Sequence, residues 1–284
     1  MSREPFWTED PAPLLRVGPG FRLAEAPSDA HPGFDGDKAA GHRALAEGAK
    51  LLADLQERLF ANSRMGDERR ILLVLQAMDT AGKGGIVKHV MGSVDPQGVQ
   101  LAAFKKPTDE ELAHDFLWRI RKRLPEAGMI GVFDRSHYED VLIGRVRELA
   151  PPEEIERRYD AINEFESEVA ATGTTIIKVM LHLSREEQGR RLLERLERPD
   201  KHWKFNPGDL DERERWEGYA EAYQVAFDRT STADAPWYVV PADRKWYARL
   251  AVQHLLIDAL EAMQLEWPAA DYDVAEQKAR LLAS

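Results

Sequence analysis

ILLVLQAMDTAGKGGIVKHVM, which occupies residues 71–91, is the stretch that decides the fold of this chain. Its first five residues are all apolar and do not alternate with polar ones, so we expect a short strand that is buried on both faces. A loop of small residues at 77–85 follows, and then a helical segment. Strand, glycine-rich loop, lysine and helix is the order of a phosphate-binding loop (P-loop). In such a loop, backbone N–H groups surround a phosphate and the lysine reaches its terminal oxygens.

The loop departs from the general pattern G-x-x-x-x-G-K-[ST]. Ala77 stands at the first glycine position, and Gly84 stands where a hydroxyl group usually holds Mg²⁺. Asp79 lies inside the loop, where its charge would repel phosphates unless it faced a metal ion that the phosphates also bind. We therefore interpret Asp79 as the substitute for the missing hydroxyl. The alternative is an ordinary turn between a strand and a helix, with Asp79 as a cap and glycines that ease the chain reversal.

The composition limits the classes of protein to which the chain can belong. Its 284 residues can bury the core of a large α/β domain, and the absence of cysteine excludes disulfides and cysteine-based zinc sites. No N-terminal apolar segment and no run near the roughly 20 apolar residues of a membrane span is present, so we expect a cytoplasmic protein without a membrane partner. A net charge of −11 argues against a nucleic-acid partner. A polyanionic substrate would therefore need a local basic patch.

Strand-like segments recur along the chain. After the first strand they occupy residues 99–104, 129–133, 174–183 and 236–241, with helical segments between them. This alternation predicts a three-layer α/β fold with a five-stranded parallel sheet and flanking helices. We expect single helices over residues 108–124 and 209–229. Residues 1–36 are rich in Pro, Gly and Asp and are predicted to form an irregular N-terminal arm, which leaves residues 37–284 as one domain.

Asp134 ends the third strand. A carboxylate at the C-terminal end of a core strand, downstream of a phosphate-binding loop, is the expected partner for Mg²⁺. The alternative is an N-cap for the next helix. The loop that holds Asp79 and Lys83 favours the metal role.

Basic residues concentrate in one later segment, at 185–204. Pro199 breaks this segment between two helices, which suits a mobile flap over phosphates. The alternative is a surface helix whose cations are balanced by neighbouring glutamates. Further candidate phosphate ligands are Arg119, beside Trp118, and the pair Lys105-Lys106.

Three motifs in this order resemble the polyphosphate kinase 2 family: the loop at 77–85, DRSHY at 134–138 and the basic segment at 195–204. The resemblance covers the chain from about residue 37 to residue 260. The family loop reads D-x-x-G-K-G-G, so Gly84 is regular there. The resemblance implies a P-loop kinase-like fold, similar to that of thymidylate kinase, with a helical lid at about 190–212. It also implies a homo-oligomer.

The implied activity is reversible, Mg²⁺-dependent transfer of a terminal phosphoryl group between inorganic polyphosphate and a nucleoside phosphate. Adenine nucleotides are the implied acceptors, and guanine nucleotides stay open. The segments 104–107, 114–119 and 136–140 are similar to those of members that phosphorylate both AMP and ADP. The implied site residues are catalytic Asp79, Lys83, Asp134 and Arg135, of which Asp79 and Asp134 hold the metal; phosphate-binding Ala81, Gly82, Gly84, Gly85, Lys105, Lys106 and Arg119; and, in the lid, Arg191, Arg195, Lys201 and Lys204.

Two other hypotheses fit the motifs. An ATP-dependent kinase for nucleoside monophosphates or small molecules would share the loop, Asp134 and the lid, and a donor assay with polyphosphate against ATP would separate it. A non-catalytic nucleotide-binding module would bind nucleotide without turnover. It is disfavoured because Asp79, Lys83, Asp134 and Arg135 are all present.

Overall fold

Five parallel strands form a single sheet in the computed structural model, which describes residues 6–284. The strands are β1 Arg70–Ala77, β2 Val99–Ala103, β3 Ile130–Asp134, β4 Thr174–His182 and β5 Trp237–Pro241, in the spatial order β2-β3-β1-β4-β5. The helices are α1 Pro11–Leu15, α2 Lys38–Ser63, α3 Lys83–His89, α4 Asp109–Leu112, α5 Trp118–Arg121, α6 Ile143–Val146, α7 Pro152–Ala171, α8 Arg185–Glu197, α9 Gly208–Glu214, α10 Trp216–Thr230, α11 Lys245–Ala262 and α12 Val274–Leu282.

Strand β1 is the centre of the sheet, and its side chains alternate between two cores. Ile71, Leu73 and Leu75 pack against α2, α3 and α11 on one face. Leu72 and Val74 pack against α5, α7 and α10 on the other face. The sheet is therefore covered by helices on both sides, which confirms the predicted three-layer α/β fold and explains the uninterrupted apolar run.

The connections that leave β1 and β3 pass over opposite faces of the sheet. The chain leaves β1 through α3, which belongs to the first face, and it leaves β3 towards α7 on the second face. The register places Leu75 of β1 beside Asp134 of β3, so the carboxyl ends of these two strands adjoin. A crevice for ligands opens at such a point in an open α/β sheet.

The N-terminal arm lies along the edge strand β5. Arg16 forms an antiparallel bridge with Tyr238, and the Val17 N–H donates to the Trp237 carbonyl oxygen at 2.8 Å. Leu15 belongs to one core and Val17 to the other, so the arm wraps the edge and covers its unpaired backbone groups. The arm contains the regular helix α1 besides irregular backbone. The division of the chain at residue 36 stays a prediction.

Two predicted helices are each divided in the structure. The helix predicted over residues 108–124 becomes α4 and α5. Asp115 lies between them, and its side chain accepts a hydrogen bond from the Leu117 N–H at 3.0 Å, which begins a new helix. Leu112, which the single helix would have buried, is 65% exposed. The helix predicted over residues 209–229 becomes α9 and α10, which are separated by Arg215. Helix α9 buries no residue whereas α10 packs into the core, so the break marks where the chain leaves the predicted lid. None of the helices within residues 6–284 combines the length and apolar character needed to cross a bilayer.

Candidate active site

The loop between β1 and α3 has the backbone geometry of a P-loop. Gly82, its last residue, has φ +125°, a conformation that side-chain-bearing residues rarely adopt, and no atom would meet an added Cβ. The backbone, rather than space, therefore requires glycine here. The N–H groups of Gly82, Lys83 and Gly84 have no acceptor within residues 6–284 and are available to an anion. Lys83 Nζ donates to the Ala77 carbonyl oxygen at 3.1 Å, so its ammonium group lies over the loop.

Asp79 and the end of β3 meet across the crevice. Arg135 Nη2 lies 3.2 Å from Asp79 Oδ1. Burial alone would lower the pKa of the Arg135 guanidinium, but the carboxylates of Glu139, Asp79 and Asp134 raise it. Arg135 also has φ +65°, a strained conformation for a residue with a side chain, and its N–H donates to the Leu75 carbonyl oxygen at 3.0 Å.

These groups line a cavity of about 680 Å³. Eleven lysine and arginine side chains line it, against three carboxylates, although the whole chain carries a net charge of −11. The basic lining is Lys83, Lys88, Lys105, Arg135, Arg191, Arg195, Arg198, Lys201, Lys204, Lys245 and Arg249. The local basic patch that a polyanionic ligand needs is therefore present at the P-loop.

A second cavity, of about 260 Å³, adjoins the first and has a different character. Asp79 and Arg135 line both cavities. The smaller one adds the tyrosines Tyr219 and Tyr223, together with Asn206 and the carboxylates Glu139, Asp209 and Glu212. Burial raises the pKa of Glu139 despite the nearby Arg135 and Lys83 cations, and burial together with the charge of Asp79 raises the pKa of Asp209.

The larger cavity gathers most of the residues predicted for the site. Its lining includes the four predicted catalytic residues, the loop residues Ala81, Gly82, Gly84 and Gly85, and Lys105, Arg191, Arg195, Lys201 and Lys204. Lys106 and Arg119 do not line it.

The structure argues against the phosphate-binding role predicted for Arg119. It is 7% exposed and donates to the Lys105 carbonyl oxygen at 2.9 Å. Its guanidinium lies 3.7 Å from a carboxylate oxygen of Asp140 and 3.9 Å from one of Glu111. Its donors therefore point into the protein, and Arg119 supports the turn that carries Lys105 instead of contacting phosphate.

Arg191 was predicted in the lid, and the structure places it in the scaffold of the P-loop. It is 3% exposed. Its guanidinium donates at 3.0 Å to each of the carbonyl oxygens of Thr80 and Ala81, and at 2.7–2.9 Å to those of Ala242 and Asp243. Nε donates to Glu187 Oε1 at 2.7 Å. Arg191 thus ties the P-loop to the segment after β5, so it is a fixed brace.

The remaining predicted lid residues lie at the exposed end of α8 and in the 3₁₀ helix Pro199–Lys204. Arg195 Nη1 donates to the Lys204 carbonyl oxygen at 3.0 Å and lies 3.3 Å from Asp209 Oδ2. Trp203 is 79% exposed, with the Lys204 ammonium 4.9 Å from its ring centre. Few buried contacts hold this segment, which is the physical condition for movement in a lid.

The family model for polyphosphate kinase 2 (PPK2) matches residues 35–268. The chain belongs to the polyphosphate kinase 2 family. The family prediction made from the three motifs is thereby confirmed.

Named relatives and a solved structure align with 87–98% of this chain. A Meiothermus ruber protein named AMP/ADP-polyphosphate phosphotransferase is 45% identical over 248 residues, which are 87% of this chain and 91% of that protein. A Rhodopseudomonas palustris protein named ADP-polyphosphate phosphotransferase is 42% identical over 268 residues, 89% of this chain and 91% of its own length. The crystal structure of polyphosphate kinase 2 from Arthrobacter aurescens TC1 superimposes with a TM-score of 0.96 at 59% identity, covering 98% of both chains.

Sequence reasoning missed several cations of this polyphosphate kinase 2 site. Lys245 and Arg249 come from α11 and Lys88 from α3, and all three line the larger cavity. Burial and, next, the charge of Arg191 lower the pKa values of Lys245 and Arg249. Burial followed by Arg249 and Lys88 lowers that of His89. These cations repel one another and would be stabilised by an anion. The available signal was the i, i+4 spacing of Lys245 and Arg249 in the first turns of a mainly apolar helix.

Proposed function

We propose that the protein transfers a terminal phosphoryl group between inorganic polyphosphate and a nucleoside phosphate. The observation that carries this proposal is that Asp79 and Arg135 line both cavities, one strongly cationic and one not. A phosphoryl group can then pass between two substrates that meet at these side chains. The names of the relatives, AMP/ADP-polyphosphate and ADP-polyphosphate phosphotransferase, support the same pair of substrates.

The larger cavity suits polyphosphate. Polyphosphate carries a negative charge on each of its phosphates, so its binding requires cations spread over a length of chain and not a single point. The lining extends from Lys83 at the P-loop to Lys88 on α3 and to Lys245 and Arg249 on α11, with Lys201 and Lys204 in the lid. Each cation contributes a contact that requires charge but little shape.

The smaller cavity suits the nucleotide. Its carboxylates Glu139, Asp209 and Glu212 would repel a second polyphosphate chain. Tyr219 and Tyr223 offer aromatic surface, and Asn206 offers both a hydrogen-bond donor and an acceptor. AMP and ADP are the acceptors that we propose, with their phosphates directed towards Arg135.

Phosphoryl transfer needs positioning and charge stabilisation more than covalent help. Lys83 and the free N–H groups of the P-loop would bind the oxygens of the transferred group, and Arg135 would neutralise charge that develops on them. Asp79 and Asp134 supply the carboxylate oxygens that Mg²⁺ prefers, and the Asp134 carboxylate accepts no hydrogen bond from any group within residues 6–284. We propose that these two residues hold Mg²⁺, which supplies further charge neutralisation on the phosphates.

Turnover with different donors tests this function. Purified protein is incubated with Mg²⁺, polyphosphate and either ADP or AMP, and formation of ATP or ADP is followed; parallel reactions contain ATP as the donor and AMP as the acceptor. We expect product that depends on polyphosphate and forms far more slowly with Lys83→Ala. Phosphorylation of AMP by ATP without any polyphosphate-dependent product would support the ATP-dependent kinase instead. Nucleotide binding without turnover would support the non-catalytic module.

A further inference from the structure

A set of polar and charged side chains lies in the core beneath the 3₁₀ turn His137–Asp140, which we call the active-site turn because it follows Arg135. Glu166 comes from α7, Lys178 from β4, and His137 and Tyr138 from the 3₁₀ turn His137–Asp140 that follows Arg135. None of the four is more than 2% exposed. A carboxylate and an ammonium group in a core are costly and are retained only where partners satisfy them. None of these groups reaches either cavity, so the phosphoryl transfer described above assigns them no task.

The contacts between these groups form a closed set, which we call the buried network. Lys178 Nζ donates to Glu166 Oε2 at 2.5 Å, to Tyr138 Oη at 2.8 Å and to the Thr230 carbonyl oxygen at 2.7 Å, which uses all three of its protons. Tyr138 Oη donates in turn to Glu166 Oε1 at 3.0 Å. One carboxylate oxygen of Glu166 therefore pairs with Lys178, and the other accepts a hydrogen bond from the active-site turn.

His137 adds a second link between Glu166 and the turn. Its Nε2 lies 3.1 Å from Glu166 Oε1, while its Nδ1 is buried without a partner within residues 6–284. This arrangement fits an imidazole that carries a proton on Nε2 and donates it to the Glu166 carboxylate. Burial would raise the pKa of Glu166, but Lys178 and the hydrogen bond from His137 outweigh burial and lower it.

Arg135 is thus held from two directions along the chain. Its own N–H is bonded to Leu75 of β1, and the turn that follows it is bonded through His137 and Tyr138 to the buried network. Arg135 itself has the strained φ of +65°. A strained residue keeps its conformation only where its surroundings determine it from several directions.

We propose that the Glu166–Lys178 pair is a positioning device for Arg135. It holds the turn His137–Asp140 so that the Arg135 guanidinium stays between Asp79 and the transferred phosphoryl group. The inference rests on the proposed function, because Arg135 is assigned there to charge that develops during phosphoryl transfer. Glu166 and Lys178 are positioning residues, since neither touches a substrate.

The proposal predicts a loss of turnover that can be separated from a loss of stability. Glu166→Gln or Lys178→Met alone leaves one buried charge without its partner and should lower Tm strongly. The double variant Glu166→Gln/Lys178→Met removes both charges and should recover much of that Tm. We nevertheless expect its kcat to fall by on the order of tenfold to 10²-fold, because small misplacement of a group that acts in the transition state has such effects. KM for polyphosphate should stay within about twofold, because the cations of the larger cavity are untouched.

Introducing the double substitution into an Arg135→Ala variant tests whether the loss of kcat depends on Arg135. In Arg135→Ala, the double replacement should cause little further loss of kcat, because residues that act as one unit are not additive. Gln253→Leu is the matched control: Gln253 is equally buried on α11 and donates to the Leu45 carbonyl oxygen at 3.0 Å. This control should lower Tm and leave kcat unchanged. A double variant with normal kcat, or with the same fold loss in both backgrounds, would overturn the proposal.

Two further measurements keep the test decisive. If the double variant does not fold, Tyr138→Phe keeps the ion pair and removes only the hydroxyl link, and it should lower kcat with little change in KM; normal kcat here would count against the proposal. A crystal structure of whichever variant folds reports the Arg135 φ directly. If the wild-type protein shows no polyphosphate-dependent product, the proposed function fails. The positioning claim then stands or falls on whether φ at Arg135 relaxes from the left-handed region.

Discussion

Two arginines one turn apart on α8, Arg191 and Arg195, have opposite surroundings. Arg191 is buried, and all of its guanidinium nitrogens donate to backbone carbonyl oxygens or to Glu187. Arg195 lies at the exposed end, where its guanidinium faces the larger cavity and contacts Lys204 and Asp209. The first arginine fixes the P-loop, and the second lies on the exposed segment 195–204, for which we propose the role of a lid. We call the groups at the strand ends the rigid half of the site and the segment 195–204 its mobile half.

The two halves should respond differently to substitution. In the proposed function, groups of the rigid half act on the charge of the transferred phosphoryl group, where interactions present only in the transition state have large effects on kcat. Groups of the mobile half are exposed, so their contacts with a polyanion are screened by salt and appear mainly in KM.

Lys83→Ala should affect turnover more than any change in the mobile half. We expect kcat to fall by on the order of 10²-fold or more, because the ammonium group binds the transferred phosphoryl group most strongly in the transition state. Thermal unfolding should be nearly unchanged, since Lys83 donates one hydrogen bond at the surface of a cavity. Steady-state kinetics and a melting curve check both statements. Lys106→Ala removes an exposed cation outside the cavity lining; it is the control and should be almost neutral. Near-normal turnover of Lys83→Ala would remove this lysine from the mechanism.

Asp79→Asn and Asp134→Asn test whether these carboxylates share one Mg²⁺. Each should reduce kcat by on the order of tenfold to 10²-fold and raise the Mg²⁺ concentration needed for half-maximal rate. The double variant should lose much less than the product of the single losses, because both side chains act through one ion. Rates measured over a Mg²⁺ titration give the comparison. Additive losses with unaltered titrations would show that the two residues do not act on a common metal.

The sequence predicted the strands, the loop and their order in the rigid half, because each of these signals is local. The apolar run of β1, the loop that ends in Lys83 and the carboxylate at the end of β3 are consecutive features, and the parallel sheet brings them together at one edge. Sequence could not separate Arg191 from Arg195. Both are basic residues of one amphipathic helix, and only the packing of α8 against the P-loop assigns them to different halves. Lys245 and Arg249 were missed because they reach the P-loop from a helix more than 150 residues later in the chain.

Arg191→Lys should lower the stability of the protein, whereas the same substitution at Arg195 on the same helix should not. Lysine keeps the charge, but it has one nitrogen in place of a planar fork, so it cannot serve the carbonyl oxygens of both the P-loop and the segment after β5. We expect a free energy of unfolding lower by about 2–4 kcal/mol, since buried acceptors are left unsatisfied. The kcat should fall about tenfold, as the P-loop is less firmly placed. Arg195→Lys is the matched control and should change Tm little. Denaturation and kinetics of the two variants suffice, and equal stability losses would remove the distinction between brace and lid.

Lys201→Ala/Lys204→Ala should have the smallest effect on turnover and the largest on salt dependence. Both lysines line the larger cavity from the exposed 3₁₀ helix, where each contact with polyphosphate is made close to solvent. The Debye length is about 8 Å at physiological ionic strength, so added salt weakens such contacts in the wild-type protein. Without them, KM for polyphosphate should rise several-fold and depend less steeply on salt concentration.

KM for the nucleotide should rise less, because the smaller cavity contains neither lysine. Some loss of kcat is expected, because a lid must close for turnover. Steady-state kinetics at low and high salt test this prediction, with Lys122→Ala, which removes a cation that lines neither cavity, as a control. If polyphosphate KM and its salt slope are unchanged in the double variant, these lysines serve only to solvate a surface helix, and the mobile half of the site loses its assigned function.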